Sequence, residues 1–149
     1  MAVTGKLYGQ LLESVFAKLI DWDSDDIYCM LTTSTYVPDQ DADNFYDDVT
    51  NEVSGTGYTA NGVLLASKTD SESAGYTGGT NVFALDAGDA AWTTSTITAR
   101  NAVVYDRTPA TDATRPLLLY QDAGADVSTT AGTFTVQWHA DGLIKVSVS

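Results

Sequence analysis

One stretch near the middle of the C-terminal half constrains the fold more than any other. It is Thr96–Asp106, the longest run of strand-forming residues there. Val103 and Tyr105 fall on one face of such a strand, and the intervening Val104 falls on the other. A strand with apolar side chains on both faces is covered on both faces at that end, so it lies inside a sheet and not at its edge. The stretch therefore predicts a β fold built around this strand.

Turn-rich loops separate several further stretches that are typical of short strands. These stretches are residues 27–32, 81–86, 117–120, 133–139 and 143–148, with loops predicted at 71–80, 107–115 and 124–132. A three-residue loop at 140–142 would pair Trp138 with Ile144 and keep one face of a final hairpin apolar. The sequence predicts a mainly β fold, either an antiparallel β-sandwich or a partly open barrel.

Residues 6–20 predict an amphipathic helix ahead of the strands. Two rows of apolar side chains recur at i, i+4 spacing: Leu7, Leu11, Val15 and Leu19, and beside them Tyr8, Leu12, Phe16 and Ile20. Two adjacent rows make a wide apolar face, which must pack on the chain's own sheet or on another subunit. We expect a single domain over 1–149, with this helix at about 6–20 and a β domain at about 27–149.

Charge excludes two classes of partner. The chain has 149 residues and a formal net charge of −13 at pH 7. A field of that sign repels phosphate backbones and anionic lipid, so we expect neither nucleic acid nor a membrane as partner. Gln10 and Glu13 interrupt the apolar N-terminal stretch, which therefore supports neither a signal peptide nor a membrane-spanning helix.

Cysteine and histidine give little support for catalysis. Cys29 is the single cysteine and lies in an apolar run, which is typical of a buried thiol that packs as a small hydrophobe. His139 is the single histidine and falls on the polar face of its predicted strand. A nucleophilic pair would need these opposite faces to meet, so the pattern opposes it. We expect no catalytic residue.

Two aspartate-rich stretches have the spacing of a calcium loop without its other requirements. Asp21–Asp25 and Asp39–Asp43 both read D-x-D-x-D. Neither has glycine at the sixth position or glutamate at the twelfth, which a calcium loop of this type uses to turn the chain and to complete the ligands. Solvated turn carboxylates are the favoured interpretation, and we expect no metal site and no cofactor.

The candidates for a protein interface are aromatic residues in predicted loops and the N-terminal segment. Tyr36, Tyr46 and Tyr76 have large amphipathic side chains that suit a protein partner or a sugar. Val3 lies in the uncharged segment 1–5, which could bury it on a neighbouring subunit or add it to an exposed strand edge.

Most of the chain resembles a group of short structural proteins of tailed bacteriophages. The resemblance is carried by residues 48–59 (DVTNEVSGTGYT), 95–106 (STITARNAVVYD), 133–138 (TFTVQW) running into 142–146 (GLIKV), and the opening 5–8 (GKLY). That group has no catalytic motif, so the resemblance gives no catalytic residues.

The resemblance implies a non-enzymatic virion component. A capsid decoration (cement) protein that binds and stabilises the shell is the first expectation, with the major capsid protein or other virion subunits as partners and a homo-oligomer on the particle. The implied location is the virion, assembled in the host cytoplasm. A neck or tail adaptor is the alternative within the resemblance. A carbohydrate-binding β-sandwich and, further behind, a small hydrolase are the alternatives from other classes.

Overall fold

A computed structural model describes residues 4–70 and 82–147. In chain order the elements are β1 (Thr4–Leu7), α1 (Leu11–Phe16), β2 (Ile27–Thr32), β3 (Val63–Leu64), β4 (Thr69–Asp70), β5 (Val82–Asp86), β6 (Ala90–Asp106), β7 (Leu117–Val136) and β8 (Ile144–Ser147). Every pairing between these strands is antiparallel, and the sheets do not close. The mainly β fold predicted from the sequence is confirmed. The predicted loop at 71–80 lies outside the described residues.

The first sheet has five strands in the order β1-β7-β6-β2-β3. β6 contains the stretch Thr96–Asp106 and lies between β7 and β2, so the predicted place of this stretch inside a sheet is confirmed. Val103 pairs with Met30 on one side and with Tyr120 on the other. All residues from Asn101 to Asp106 are buried, because both faces of the sheet are covered at this end.

β7 is a single strand of 20 residues, so the loop predicted at 124–132 is wrong. Residues 127–135 are rich in Thr and Ser, yet they pair with β6 because their exposed hydroxyl side chains are compatible with a solvated sheet face. The turn-forming residues make a local bulge. Ala99 pairs with Val127 whereas Asn101 pairs with Asp122, so the chain between these β7 residues bulges out around Gly124, whose φ is +75°.

The second sheet has three strands in the order β4-β5-β8, and it contradicts the predicted final hairpin. Ile144 pairs with Leu85 of β5, not with Trp138. The predicted turn does form, since the Gly142 N–H donates to the His139 carbonyl at 2.8 Å with Gly142 at φ +97°. The turn passes the chain from the first sheet to the second. Trp138 and Ile144 are nevertheless buried in the same core.

The N-terminal helix is much shorter than predicted. α1 spans six residues, and Thr4–Leu7 ahead of it is a strand that pairs with β7, with Leu7 opposite Leu119. Lys18 follows in the left-handed region at φ 59°, which ends the helical conformation. The helix predicted at 6–20 is therefore wrong in extent, because the open edge of β7 offers backbone partners that the periodicity of the sequence does not reveal. The described chain already has strand structure at Thr4–Leu7, ahead of the start predicted at about 27.

Two apolar cores cover the two faces of the five-stranded sheet. The larger core combines side chains of both sheets and α1, including Leu11, Cys29, Trp92, Leu118, Trp138 and Ile144. The smaller core, on the other side, is rich in tyrosine and includes Tyr8, Met30, Tyr36, Tyr105 and Tyr120. Cys29 is fully buried as predicted, and burial raises the pKa of its thiol above the ordinary value.

Candidate functional site

An apolar groove lies between α1 and the three-stranded sheet. Its volume is about 390 Å³. The walls include Leu12, Val15 and Phe16 of α1 on one side and Phe83, Leu85 and Val146 of β5 and β8 on the other, with Leu118 of β7 among the lining residues. The floor therefore belongs to the larger core, which the helix and the second sheet leave incompletely covered.

The groove walls expose large apolar side chains to solvent. Phe16 is 83% exposed, Leu12 is 59% exposed and Phe83 is 48% exposed, whereas Leu11 is buried. Within α1, only Leu11 of the apolar side chains belongs to the larger core, whereas Leu12, Val15 and Phe16 are exposed. Isolated exposed apolar residues are ordinary on protein surfaces, but a concave cluster of them marks a site of interaction. The two apolar rows in residues 7–20 were the sequence signal for this groove.

A second gap continues the groove between β1 and β8. β1 is the last strand at one edge of the first sheet, and β8 is the last strand at one edge of the second. Both strands border a gap of about 220 Å³, whose lining includes Gly5, Lys6, Leu7, Ile144 and Lys145. Leu7 and Ile144 line the apolar groove as well, so the gap and the groove are continuous. Sequence reasoning missed this gap, because it placed Lys6 and Leu7 in a helix.

Tyr36, predicted at an interface, is an internal residue. It is 5% exposed, its hydroxyl donates to Asp43 Oδ2 at 2.7 Å, and the hydroxyls of Tyr8 and Tyr36 are 3.0 Å apart. Burial, followed by the bond to Tyr8, raises the pKa of Tyr36 far above its ordinary value. The expectation of an exposed Tyr36 is therefore wrong. The loop that carries Tyr36 packs onto the sheet because the Tyr36 hydroxyl forms hydrogen bonds there.

Tyr46 is half-buried and also makes internal contacts. Its ring centroid lies 4.7 Å from that of Tyr105, and its hydroxyl donates to Asn61 Oδ1 at 2.7 Å. Neither Tyr36 nor Tyr46 lines the apolar groove. Val3 and Tyr76 lie outside the described residues. Of the segment 1–5, Thr4 and Gly5 belong to β1, which is already paired with β7.

The two D-x-D-x-D stretches form the same turn and use their carboxylates to cap it. Asp21 Oδ1 accepts the N–H groups of Asp23 at 3.1 Å and Ser24 at 3.3 Å, and Asp25 Oδ2 accepts the N–H of Asp21 at 2.6 Å. The bonds from Ser24 and Asp23 lower the pKa of Asp21. The stretch at 39–43 repeats this pattern at matching positions. Turn capping thus accounts for the aspartate spacing.

Asp106 is a buried carboxyl group at the end of β6. Its Oδ1 accepts the Thr108 N–H at 2.8 Å, while its Oδ2 has no hydrogen-bond partner within the described part of the chain. Burial raises the pKa of Asp106, and the nearby Asp25 carboxylate raises it further. The neighbour of Asp25, Asp26, also contacts Thr108, because the Asp26 N–H donates to Thr108 Oγ1 at 2.8 Å.

Cys29 and His139 are not brought together. Cys29 is fully buried in β2, whereas the His139 side chain is exposed at the turn before β8, where its Nδ1 accepts the Asp141 N–H at 3.1 Å. Within residues 4–70 and 82–147, no three His, Cys, Asp or Glu side chains are grouped as metal ligands.

Comparison with protein-family models, with curated proteins and with solved structures gives no match. None of the helices in the described ranges has the length and hydropathy needed to cross a lipid bilayer. The apolar groove, with the gap that continues it, is therefore the candidate site that the geometry itself defines.

Proposed function

We propose that this chain is a non-enzymatic structural subunit of a tailed-bacteriophage virion, and that it docks on other virion subunits through the apolar groove beside α1. Capsid decoration, with the major capsid protein as partner, is the first role. The protein then resides in the virion after assembly in the host cytoplasm, and its copies on the particle form a homo-oligomeric array.

The exposed apolar groove is the observation that carries the proposal. A docking surface gains free energy from the apolar area that it removes from water, at about 25 cal/mol per Å². The other large apolar side chains of the domain are mostly buried in two cores that cover the five-stranded sheet. An apolar concavity that the described part of the chain leaves uncovered suits a subunit that must attach firmly to a partner.

We further propose that the two sheets and their shared core form an open β-sandwich. Among the described strands, β1 and β8 are the outer strands of their sheets, and both contribute residues to the groove, so the incomplete part of the sandwich coincides with the proposed docking surface.

A neck or tail adaptor is the second candidate role, because the same resemblance and the same groove support it. A carbohydrate-binding module is less favoured, since Tyr36 and Tyr46 make internal contacts and do not form an exposed aromatic platform.

Cryo-electron microscopy of the virion tests the proposal and separates the two roles. Copies distributed over the whole shell, with the α1 groove against a capsid subunit, are expected for a decoration protein. A single ring at one vertex would assign the neck or tail instead. Particles that lack the chain altogether would contradict a structural role.

A further inference from the structure

The Asn61-Gly62 dipeptide is a chemically labile sequence that the fold holds in a bonded turn. It is the one place in the chain where asparagine precedes glycine. Glycine has no side chain to shield its backbone nitrogen, so in an unfolded chain this nitrogen attacks the preceding asparagine side chain. In the folded chain the same dipeptide lies in the turn that leads into β3. The fold therefore decides whether these two residues react.

Hydrogen bonds hold Asn61 at its amide, its carbonyl and its side chain. The Asn61 N–H donates to Glu52 Oε1 at 2.6 Å. The Tyr105 hydroxyl donates to the Asn61 carbonyl at 2.8 Å, and the Tyr46 hydroxyl donates to Asn61 Oδ1 at 2.7 Å. The side-chain amide that would be attacked is thus fixed by a partner that lies far away in sequence.

Gly62 is held by its N–H and by close packing. The Gly62 N–H donates to the Thr59 carbonyl at 3.0 Å. A Cβ at Gly62 would lie 2.1 Å from the Cys29 carbonyl oxygen, so the glycine backbone lies directly against β2. Attack requires the Gly62 nitrogen to release its proton and to move onto the side-chain carbon of Asn61. Both the bond to Thr59 and the packing against Cys29 oppose this movement.

The segment around the turn has a short sheet pairing and an exposed tip. β3 pairs with β2 over two residues, and Thr59 and Ala60 are exposed. Short pairing and exposed backbone are typical of a segment that opens locally, at a lower free energy than global unfolding. While the turn is open, Asn61 and Gly62 regain the freedom that they have in an unfolded chain.

We propose that Asn61 is a deamidation site whose reaction is controlled by local opening of the 59–62 turn. The Gly62 nitrogen forms a bond to the Asn61 side-chain carbon, while the Gly62 amide proton and the side-chain NH2 group leave as ammonia. This step closes a succinimide ring. One water molecule then opens the ring at either carbonyl and gives aspartate or isoaspartate at position 61. Neither the reaction nor its test depends on the identity of a partner.

Deamidation prevents the turn from closing as before. The product places a carboxylate beside that of Glu52, whose Oε1 accepts the N–H of residue 61 in the unmodified chain, and like charges repel. In isoaspartate the main chain runs through the side-chain carbon, so the turn is one carbon longer and does not fit against the Cys29 carbonyl. The modification is therefore irreversible and accumulates with each opening that leads to reaction.

Peptide mass spectrometry measures the reaction in purified protein that is incubated at mildly alkaline pH, with a parallel sample unfolded in urea. The rate in the folded chain scales with the fraction of time that the turn is open. We expect the folded wild type to deamidate at Asn61 at least about tenfold more slowly than the unfolded chain.

Three tyrosine variants separate local opening from global unfolding. Tyr46→Phe and Tyr105→Phe each remove a hydroxyl that bonds Asn61, so each should raise the rate in the folded chain about fivefold. Tyr8→Phe is the matched control, because it removes a buried hydroxyl that lies 3.0 Å from the Tyr36 hydroxyl. It should leave the rate at Asn61 as in the wild type. In urea all four chains should react at the same rate.

The melting temperature tests the effect of the product. The chain with isoaspartate at position 61, separated by ion exchange, should melt below the wild type. It should also melt below Asn61→Asp, which has the new charge and the normal backbone.

Four results would overturn the inference. They are equal rates in the folded and the unfolded wild type, no acceleration in Tyr46→Phe or Tyr105→Phe, acceleration in Tyr8→Phe equal to that in Tyr46→Phe, and an isoaspartate chain that melts as the wild type does. The third result would show that the reaction follows global unfolding and not opening of the turn.

Discussion

At the scale of single residues, alternation along strands is the most reliable information in this sequence. Phe134, Val136 and Trp138 are buried and Thr133, Thr135 and Gln137 are exposed, as the period of two predicts. The same alternation does not show which strand each strand pairs with. Trp138 is on the correct face, but it contacts a core shared by two sheets and not a hairpin partner.

Replacing Trp138 by Ala should lower the free energy of unfolding by about 3–5 kcal/mol. The indole is almost completely buried, and its Nε1–H donates to the Gly88 carbonyl at 3.0 Å. Denaturant titration measures the loss, and Gln137→Ala at the adjacent exposed position should change stability by less than about 0.5 kcal/mol. A loss below about 1 kcal/mol for Trp138→Ala would show that this side chain does not belong to the core.

Asp106 gives a prediction for pH dependence. In the folded chain the pKa of Asp106 is raised by burial and then by Asp25. In the unfolded chain the pKa of an aspartate has its ordinary value of about 3.9. At pH values between the unfolded and the folded pKa, the folded state binds more protons than the unfolded state, so the free energy of unfolding falls as pH rises. The stabilisation from protonated Asp106 is complete below the unfolded pKa and is lost as pH rises through the folded pKa.

Asp106→Asn removes this titration while keeping an oxygen for the Thr108 N–H. We expect the wild type to lose stability relative to Asp106→Asn when pH is raised from about 4 to neutral, in urea titrations at each pH. Asp23→Asn, at an exposed turn position, is the control and should show no such trend. A difference between wild type and Asp106→Asn that stays constant with pH, or that changes in the opposite direction, would refute the raised pKa.

At the scale of elements, local signals predict strands well and their connections poorly. β2 begins and ends where the sequence predicts, and β5 agrees closely. β1 is not evident from the sequence, because residues 7–20 have helical periodicity. At Leu7, backbone pairing with β7 takes precedence over that periodicity. The Thr- and Gly-rich part of β7 is not evident from the sequence, because its turn-forming residues predict a loop, whereas most of them lie in the strand and Gly124 makes a bulge.

The Asn61-Gly62 turn before β3 is fixed by close approach to β2. Gly62 has φ +83°, and a Cβ there would lie 2.1 Å from the Cys29 carbonyl oxygen. Gly124 has a similar φ of +75° but open space around it. Gly124→Ala should therefore lower the free energy of unfolding only by the strain of the left-handed conformation, about 1–2 kcal/mol. Gly62→Ala should lower the free energy of unfolding more than Gly124→Ala does, and it should lower the melting temperature further. Equal losses would contradict the close approach.

The aspartate-rich turns should not respond to calcium. Their carboxylates already accept backbone N–H groups within each turn. Adding millimolar calcium or a chelator should leave the melting temperature unchanged, as measured by scanning calorimetry. A rise of several degrees with calcium would reveal binding to the folded state, because such binding adds stability by mass action.

At the scale of the whole molecule, sequence reasoning reached the fold class but not the site. Tyr36 and Tyr46, which were predicted as interface residues, pack internally, because the hydroxyl of each forms a hydrogen bond that only the folded chain supplies. The groove was signalled by the excess of apolar residues on α1, but its opposite wall comes from β5 and β8, which are distant in sequence. A surface assembled from distant elements cannot be read from local periodicity.

We propose that this groove docks the chain on the virion. Purified wild type, Phe16→Asp and Val37→Asp can each be added to particles that lack the chain, with occupancy measured by sedimentation and gel densitometry. Both positions are highly exposed, so both variants should fold with stabilities within about 0.5 kcal/mol of the wild type. We predict that Val37→Asp decorates particles as the wild type does and that Phe16→Asp binds at least about tenfold more weakly, because it places a charge against the groove's partner. Wild-type occupancy by Phe16→Asp would contradict the account.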